Sequence, residues 1–297
     1  MSIKMKIYQI RRHSGPNYWS LRPCIQMLLE IGKLEELPTN KIKGFNKRFV
    51  EALPTIYEHR CSIGKIGGFF QRVKEGTWMG HVVEHVALEL QTLAGMDTGF
   101  GRTRETSDKG IYHVVYSYIV SEVGKRAGEL SVDLCEKFIR GDEYDLDAIV
   151  LELKELRERY KMGPSTASIV EEAVSRGIPF TRLNRSSLVQ LGYGTNQKRI
   201  RATITGETSS LAVDFACDKW ETKEMLENHG IPVPRGVETR HYETALKSVK
   251  KWGYPLVVKP SDGNHGRGIT VGVDNDNLFK DAWDAAKAQS KNGYVII

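Results

Sequence analysis

Cysteine is scarce in this chain of 297 residues, and what there is lies scattered. Cys24, Cys61, Cys135 and Cys217 form no C-x-x-C pair, which excludes a zinc knuckle and a disulfide framework and makes a reducing compartment the expected setting. Long apolar runs are missing too. Nowhere do eighteen apolar residues follow one another, and the basic opening MSIKMKIYQIRRHSG has no apolar segment behind it, so neither a membrane span nor a secretory signal is expected. A soluble cytoplasmic protein without a membrane partner is the resulting expectation. The chain also lacks low-complexity tracts, true repeats, and any helix-turn-helix, zinc-knuckle or RNP pattern. Its formal charge of +6 is therefore read as suiting anionic ligands, such as nucleotide phosphates or an acidic polymer, and not nucleic acid.

What is present has the grammar of an α/β (α+β) protein long enough for two domains. KMKIYQI alternates like a half-buried strand, and GPNYWS after it reads as a turn. LRPCIQMLLEIGKLEEL predicts a helix, as does WMGHVVEHVALELQTLAG, whose apolar spacing is helical and whose Gly95 is placed to stop it. GIYHVVYSYIV predicts a strand, and SVDLCEKFIRG and LDAIVLELKELRERYKMG predict two helices. Gly163-Pro164 then breaks the pattern and is the expected boundary between a domain over 1–160 and another over 161–297. Beyond it, STASIVEEAVSRGIPFTRLN reads as a helix capped by Ser165 and stopped at Gly177, followed by a short strand. DKWETKEMLENHGIPVPRG and ETALKSVKKWGYPLVVKP repeat that helix and glycine grammar.

The most informative stretch is VVKPSDGNHGRGI. Gly263, Gly266 and Gly268 follow G-x-x-G-x-G, the reverse of the dinucleotide fingerprint, and ITVGVDN behind them predicts a strand where a Rossmann turn would start a helix. No G-x-x-x-x-G-K-[ST] exists anywhere. Strand, glycine loop and strand make a hairpin flap whose glycines let backbone N–H groups approach phosphate oxygens and let the flap move. Lys259 ends the first of these strands, and Lys219 opens a helix forty residues earlier. Two ammonium groups converging on a triphosphate would offset the charge that builds as the γ-phosphate leaves. Taken singly, each feature also suits a plain hairpin tip or a solvated lysine.

The ordered set of DKWETKEMLENHGIPVPRG and YPLVVKPSDGNHGRGI resembles the first half of an ATP-grasp ligase. GPNYWSLRPCIQMLLEIGKLEEL with GYGTNQKRIRATITGETSSLAVDFACDK is similar to the cyanophycin synthetase family. The resemblance covers nearly the whole chain and implies an N-terminal domain followed by part of an ATP-grasp fold. It implies that Lys219 and Lys259 hold ATP phosphates, with Gly263, Asn264, His265, Gly266, Arg267 and Gly268 covering them. For the family it implies Mg²⁺-ATP chemistry that activates a chain-end carboxylate as an acyl phosphate and adds aspartate. A separate Mur-ligase-like domain adds arginine. Cyanophycin or a primer peptide, aspartate and ATP are the implied partners, and a homo-oligomer is expected. GYVII resembles the strand entering the adenine hinge, so a fragment or truncated product, incomplete for ligation, is the expectation. A different ATP-grasp ligase, of the glutathione or D-alanine type, is the alternative.

A second signal lies in HVVEH. His81 and His85 are four residues apart on one helical face with Glu84 between them, the H-x-x-E-H order in which two histidines hold Zn²⁺ and the glutamate moves a proton of the attacking water. A third protein ligand is needed; Glu89, Glu152, Glu155 and Glu158 are the candidates. Some cyanophycin synthetases are thought to cut polymer into primers with this domain, which makes a zinc-dependent peptidase one rival reading and a non-catalytic polymer-binding module another. Arg102 and Arg104 in GFGRTRE have the guanidinium forks to grip polymer carboxylates, and equally suit an ordinary surface.

Overall fold

The structure, a computed structural model, describes residues 4–262 and 265–297. The chain divides into two compact units, 1–206 and 207–297. Gly163-Pro164, the boundary expected from sequence, falls inside the first unit, where Pro164 occupies the first turn of a helix.

In the first unit, β1 (Lys6–His13) and β2 (Cys24–Glu30) precede two short helices, α1 (Phe45–Ala52) and α2 (Gly68–Glu75). Helix α3 (Met79–Leu93), strands β3 (Gly101–Glu105) and β4 (Ile111–Ser117), and helices α4 (Ser121–Arg140) and α5 (Leu146–Tyr160) follow. The strands form an antiparallel sheet in the order β1-β2-β4-β3. α3 packs on β3 and β4, α4 on β1 and β2, and α5 on both helices, so the core lies between sheet and helices.

The helix expected over residues 21–37 is instead β2 and a 3₁₀ turn at Gly32–Glu36. Ile25, Met27 and Leu29 are fully buried while Gln26, Leu28 and Glu30 face the other way, the period of two that a strand requires. A short apolar run suits either element by itself. Here β1 and β4 on either side decide for the strand, because both edges of its backbone are then hydrogen-bonded.

Helix α4 starts ten residues before the stretch that predicted it and ends at Gly141, whose φ is +79°. Its Gly124 and Gly128 stand one turn apart against Tyr116, whose buried hydroxyl donates to the Gly124 carbonyl at 3.0 Å. A methyl group at Gly128 would collide with that hydroxyl. α5 is capped by Asp145, whose carboxylate accepts from the Ala148 N–H at 2.9 Å. α6 (Pro164–Ser175) is capped by Gly163, not Ser165, because Pro164 takes the first helical position and moves the start two residues upstream. Behind it, β5 (Phe180–Arg182), β6 (Leu188–Leu191), β7 (Lys198–Arg201) and β8 (Ile204–Thr205) form an antiparallel meander over Val170, Val189 and Ile200.

The second unit opens with α7 (Ser210–Cys217) and α8 (Lys219–Asn228). After β9 (Glu238–Thr239) and α9 (Tyr242–Trp252) come β10 (Leu256–Pro260), β11 (Thr270–Val273), α10 (Asp276–Gln289) and β12 (Val295–Ile296). The sheet order is β11-β10-β12-β9, all neighbours antiparallel, with β10 and β11 forming the expected hairpin. Val258, Val273, Phe279, Trp283 and Val295 join sheet to helix in its core. Both units mix helix and sheet, in agreement with the expected α/β (α+β) class. No helix among the described residues is long and apolar enough to cross a membrane.

Candidate functional site

α3 is nearly all buried, so its polar side chains have to find partners inside the protein. His81, Glu84, His85 and Glu89 recur at three- and four-residue spacing and face one cavity of about 1000 Å³, which β3 and the turn around Cys61 also line. Glu84 is 4% exposed, and the Thr103 hydroxyl of β3 donates to its Oε2 at 2.7 Å. Gly101 lies directly against the same carboxylate, and any larger side chain there would collide with it. Burial pushes the Glu84 carboxyl up to about 7, against the Thr103 hydrogen bond and the Arg104 charge, which both pull it down. A carboxyl titrating there has a general base's affinity near neutral pH.

His81 sits between Thr77, whose Oγ1 is 2.9 Å from Nδ1, and Cys61, whose Sγ is 3.4 Å from Nε2. Burial, then the Arg72 charge, lowers its pKa to about 4. His85 is stacked under Phe69 at a centroid distance of 3.6 Å, and its Nδ1 lies 2.9 Å from Nδ1 of His59. Its pKa is driven well below the ordinary value by burial and then by the two neighbouring histidines. Both rings are thus held neutral, the form that ligates metal.

Cys61, His81 and His85 offer ligand atoms that all lie within 4.8 Å of one another. A tetrahedral zinc centre with thiolate and imidazole ligands separates sulfur from nitrogen by roughly 3.5 Å, close to the 3.4 Å between Cys61 and His81. The donor set of one sulfur and two nitrogens fits Zn²⁺ and leaves a fourth position for another ligand. Cys61 has a φ of +53°, a left-handed conformation uncommon outside glycine.

The four carboxylates expected from sequence as third-ligand candidates are not in this cluster. Glu152 pairs with Arg126 at 2.6 Å, Glu158 with Lys161 and Arg157, and Glu155 is exposed on α5. Glu89 is engaged by His59 and Thr55. Cys61 and His59 lie outside the expected set, although the run EHRCSIG, with histidine and cysteine two apart just before a glycine, was a readable signal. Arg102 and Arg104 line the same cavity as His81, Glu84 and His85.

In the second unit, Lys219 begins α8 behind Asp218, whose carboxylate caps the helix through the N–H groups of Trp220 and Glu221. The Lys219 ammonium donates to the Ser261 carbonyl at 3.0 Å, at the mouth of the β10–β11 hairpin. Its pKa is lowered by burial and next by repulsion from Lys259, so the two cations are close enough to feel each other. Asp262 accepts from the backbone N–H groups of Lys291 and Asn292 and from the Ser290 hydroxyl; these outweigh burial and hold its carboxyl below the ordinary range. Of the expected phosphate loop, His265, Gly266 and Gly268 have φ of +56°, +73° and +68°, and Arg267 lies between the two glycines. Gly263 and Asn264 lie outside the described residues.

Comparison with known proteins gives the same division of the chain into two. Residues 26–140 match the cyanophycin synthase-like N-terminal domain, and residues 218–296 match the carbamoyl-phosphate synthase L chain, ATP binding domain. Over 99% of this chain, the cyanophycin synthetase of Geminocystis herdmanii is 48% identical and that of Crocosphaera subtropica 46%. The α-aminoadipate–LysW ligase of Sulfolobus acidocaldarius is 31% identical over 36% of the chain and 35% of its own length. The chain spans about a third, 34%, of the cyanophycin synthetases it matches. The chain is therefore similar to cyanophycin synthetases over nearly its whole length, and carries a cyanophycin synthase-like N-terminal domain followed by sequence of a carbamoyl-phosphate-synthase-type ATP-binding domain.

Proposed function

We propose that the chain is part of an ATP-dependent ligase that extends cyanophycin, with residues 161–297 as the N-terminal half of its ATP-grasp domain. What supports this is the convergence of Lys219 and Lys259 at the mouth of the β10–β11 hairpin, within the stretch that matches an ATP-binding domain. A chain-end carboxylate oxygen attacks the γ-phosphorus and ADP departs; the amine of aspartate then attacks the acyl carbon and phosphate leaves. Lys219 and Lys259 hold the phosphate oxygens during the first step, where negative charge shifts toward the leaving ADP. The glycines at 266 and 268 let the hairpin backbone close over those oxygens. ATP-grasp kinship implies Mg²⁺ as well. Asp218 and Asp262 are already occupied by backbone N–H groups, so neither is assigned to it and no step is routed through it. The setting is cytoplasmic, and ATP, aspartate and a primer or polymer chain are the partners.

The test is nucleotide binding by the chain and by Lys219→Ala and Lys259→Ala. Losing a hydrogen bond to a charged group costs about 1.5–3 kcal/mol, so each variant should weaken ATP binding about 10- to 100-fold. Binding unchanged by both substitutions sinks the assignment. Aspartate-dependent phosphate release with a primer, set against single amino acids of other kinds, distinguishes a cyanophycin ligase from one of the glutathione or D-alanine type.

A second reading is favoured by the Cys61, His81 and His85 cluster. In it the N-terminal domain hydrolyses polymer, with Zn²⁺ on these three residues supplying Lewis acidity and lowering the pKa of a bound water. Glu84 would take a proton from the attacking water and give it to the departing amine as the peptide C–N bond breaks, and Arg102 and Arg104 would hold polymer carboxylates at the cavity wall. Cleavage of cyanophycin that disappears in Glu84→Gln while bound zinc is retained supports this reading. Polymer binding without zinc or cleavage would leave this domain a polymer-binding module instead.

A further inference from the structure

Glu89 is 1% exposed and sits deep on α3, one turn beyond His85. The Thr55 hydroxyl donates to its Oε1, and its Oε2 lies 2.9 Å from Nε2 of His59. The other nitrogen of His59, Nδ1, lies 2.9 Å from Nδ1 of His85. Four side chains from two segments, the turn at 54–59 and α3, are thus joined end to end, with His85 of the metal-ligand cluster as the last.

With Glu89 as carboxylate and both histidines neutral, the chemistry of this series permits one proton arrangement. A carboxylate only accepts, so the His59 hydrogen is on Nε2 and donates to Glu89. Neutral His59 then has a lone pair on Nδ1, which accepts from Nδ1–H of His85. Neutral His85 is left with its lone pair on Nε2. His81 can take the same sense: with Nδ1–H donating to the Thr77 hydroxyl, its Nε2 lone pair faces the Cys61 sulfur at 3.4 Å. Each histidine is thereby turned with the same nitrogen available as a ligand.

We propose that Glu89 and His59 are positioning residues for a metal centre, fixing the tautomer and ring orientation of His85 so that its Nε2 is presented to Zn²⁺ along with Cys61 and His81. This rests on the metal-centre reading above and extends it to residues that touch neither the cation nor a substrate. The relay also feeds carboxylate charge toward the ligand, which raises the basicity of Nε2. Thr55 acts in the same way at a further remove, orienting Glu89.

The experiment uses the full 297-residue chain, freed of metal and titrated with Zn²⁺ against a chromophoric chelator, next to Glu89→Gln and His59→Phe. Glutamine keeps the shape of Glu89 and removes its charge; phenylalanine keeps a ring at 59 and removes both nitrogens. The parent should bind one Zn²⁺, and each variant should bind it about 10- to 100-fold more weakly. With Co²⁺ in place of Zn²⁺, both variants should keep the thiolate charge-transfer absorption, because Cys61 is untouched, while the d–d bands shift. Should His59→Phe fail to fold, Glu89→Gln carries the test. Variants that lower the melting temperature of the metal-free protein yet bind Zn²⁺ as the parent does would overturn the proposal and leave the metal centre standing. A parent that binds no Zn²⁺, or binds it equally well as Cys61→Ser, would remove the metal centre itself and the proposal with it.

Discussion

Replacing Glu84 by glutamine removes a buried carboxyl without changing its shape, and the effect on stability should depend on pH in a direction fixed by the site. Unfolded, this carboxyl loses its proton near 4.5; folded, it holds the proton to about 7 because burial disfavours the anion. Between those values the folded state binds more protons than the unfolded state, so its contribution is greatest below 4.5 and is lost as pH rises to 7. The gap from 4.5 to about 7 corresponds to about 3 kcal/mol. His81 works the opposite way, since its folded pKa of about 4 is below the ordinary 6.5 and stability therefore rises with pH between them. That histidine is in both proteins, so the difference between Glu84→Gln and the parent isolates the carboxyl. The Thr103 hydroxyl can still donate to the amide oxygen of glutamine, which keeps the packing comparable. Urea titrations at about pH 4.5, 6 and 8 in a chelator, read by hydrogen exchange of peptides spanning α3, follow the first unit alone. The variant should gain on the parent by up to about 3 kcal/mol from the lowest pH to the highest. A difference constant to within about 0.5 kcal/mol, or one that falls with pH, refutes the account of a buried carboxyl held neutral.

Other substitutions probe the packing around the site. Gly101→Ala should destabilise the first unit by about 1–3 kcal/mol in a urea titration, because the added methyl group meets the Glu84 carboxylate. Gly128→Ala should also destabilise, by a similar amount on thermal unfolding, even though alanine is the better helix former by about 1 kcal/mol; the collision with the buried Tyr116 hydroxyl outweighs the propensity. Asp145→Ala removes the cap of α5 and should cost about 1 kcal/mol, seen as faster hydrogen exchange in the first turn of that helix.

Much of the fold was legible where pattern and environment agree. α3 announced itself by helical spacing, a run of apolar residues and Gly95; the β10–β11 hairpin by two short apolar strands around clustered glycines. β2 was not legible, because CIQMLLE satisfies helix and strand equally until the neighbouring strands are known. Nor was α10 marked, although Phe279, Ala282, Trp283 and Ala286 have helical spacing behind the Asn275 cap. The site divides in the same way. The two histidines and Glu84 share a helix, so their proximity follows from a period of about 3.6 residues. The other members come from elsewhere: Cys61 and His59 from a turn twenty residues away, Thr103 and Gly101 from an edge strand. No local period links these segments, and only the folding of the turn over Phe69 and α3 brings them to one place.

That separation explains why the carboxylates of α5 looked eligible and are not. Glu152, Glu155 and Glu158 have the right chemistry, but α5 offers its acidic face to Arg126, Lys161 and solvent. Glu89 is near enough, yet a carboxylate already accepting from Thr55 and His59 satisfies its burial without a cation. Cys61 has no such hydrogen-bond network among the described residues: its sulfur lies near the hydroxyl of Ser62 and the ring of His81, half-buried at the edge of the core, and its backbone is held left-handed at the start of the 3₁₀ turn Cys61–Ile63. Cys61→Ser therefore gives the sharpest separation of roles. It changes one atom of a half-buried side chain at the edge of the core, so the metal-free melting temperature should move by no more than about 2–4 °C, a shift worth about 1 kcal/mol. Zinc affinity should fall by more than for either relay variant, because a ligand is lost and not merely its orientation. A large drop in melting temperature with zinc binding intact would make Cys61 a packing residue and return the search for the third ligand to the cavity wall.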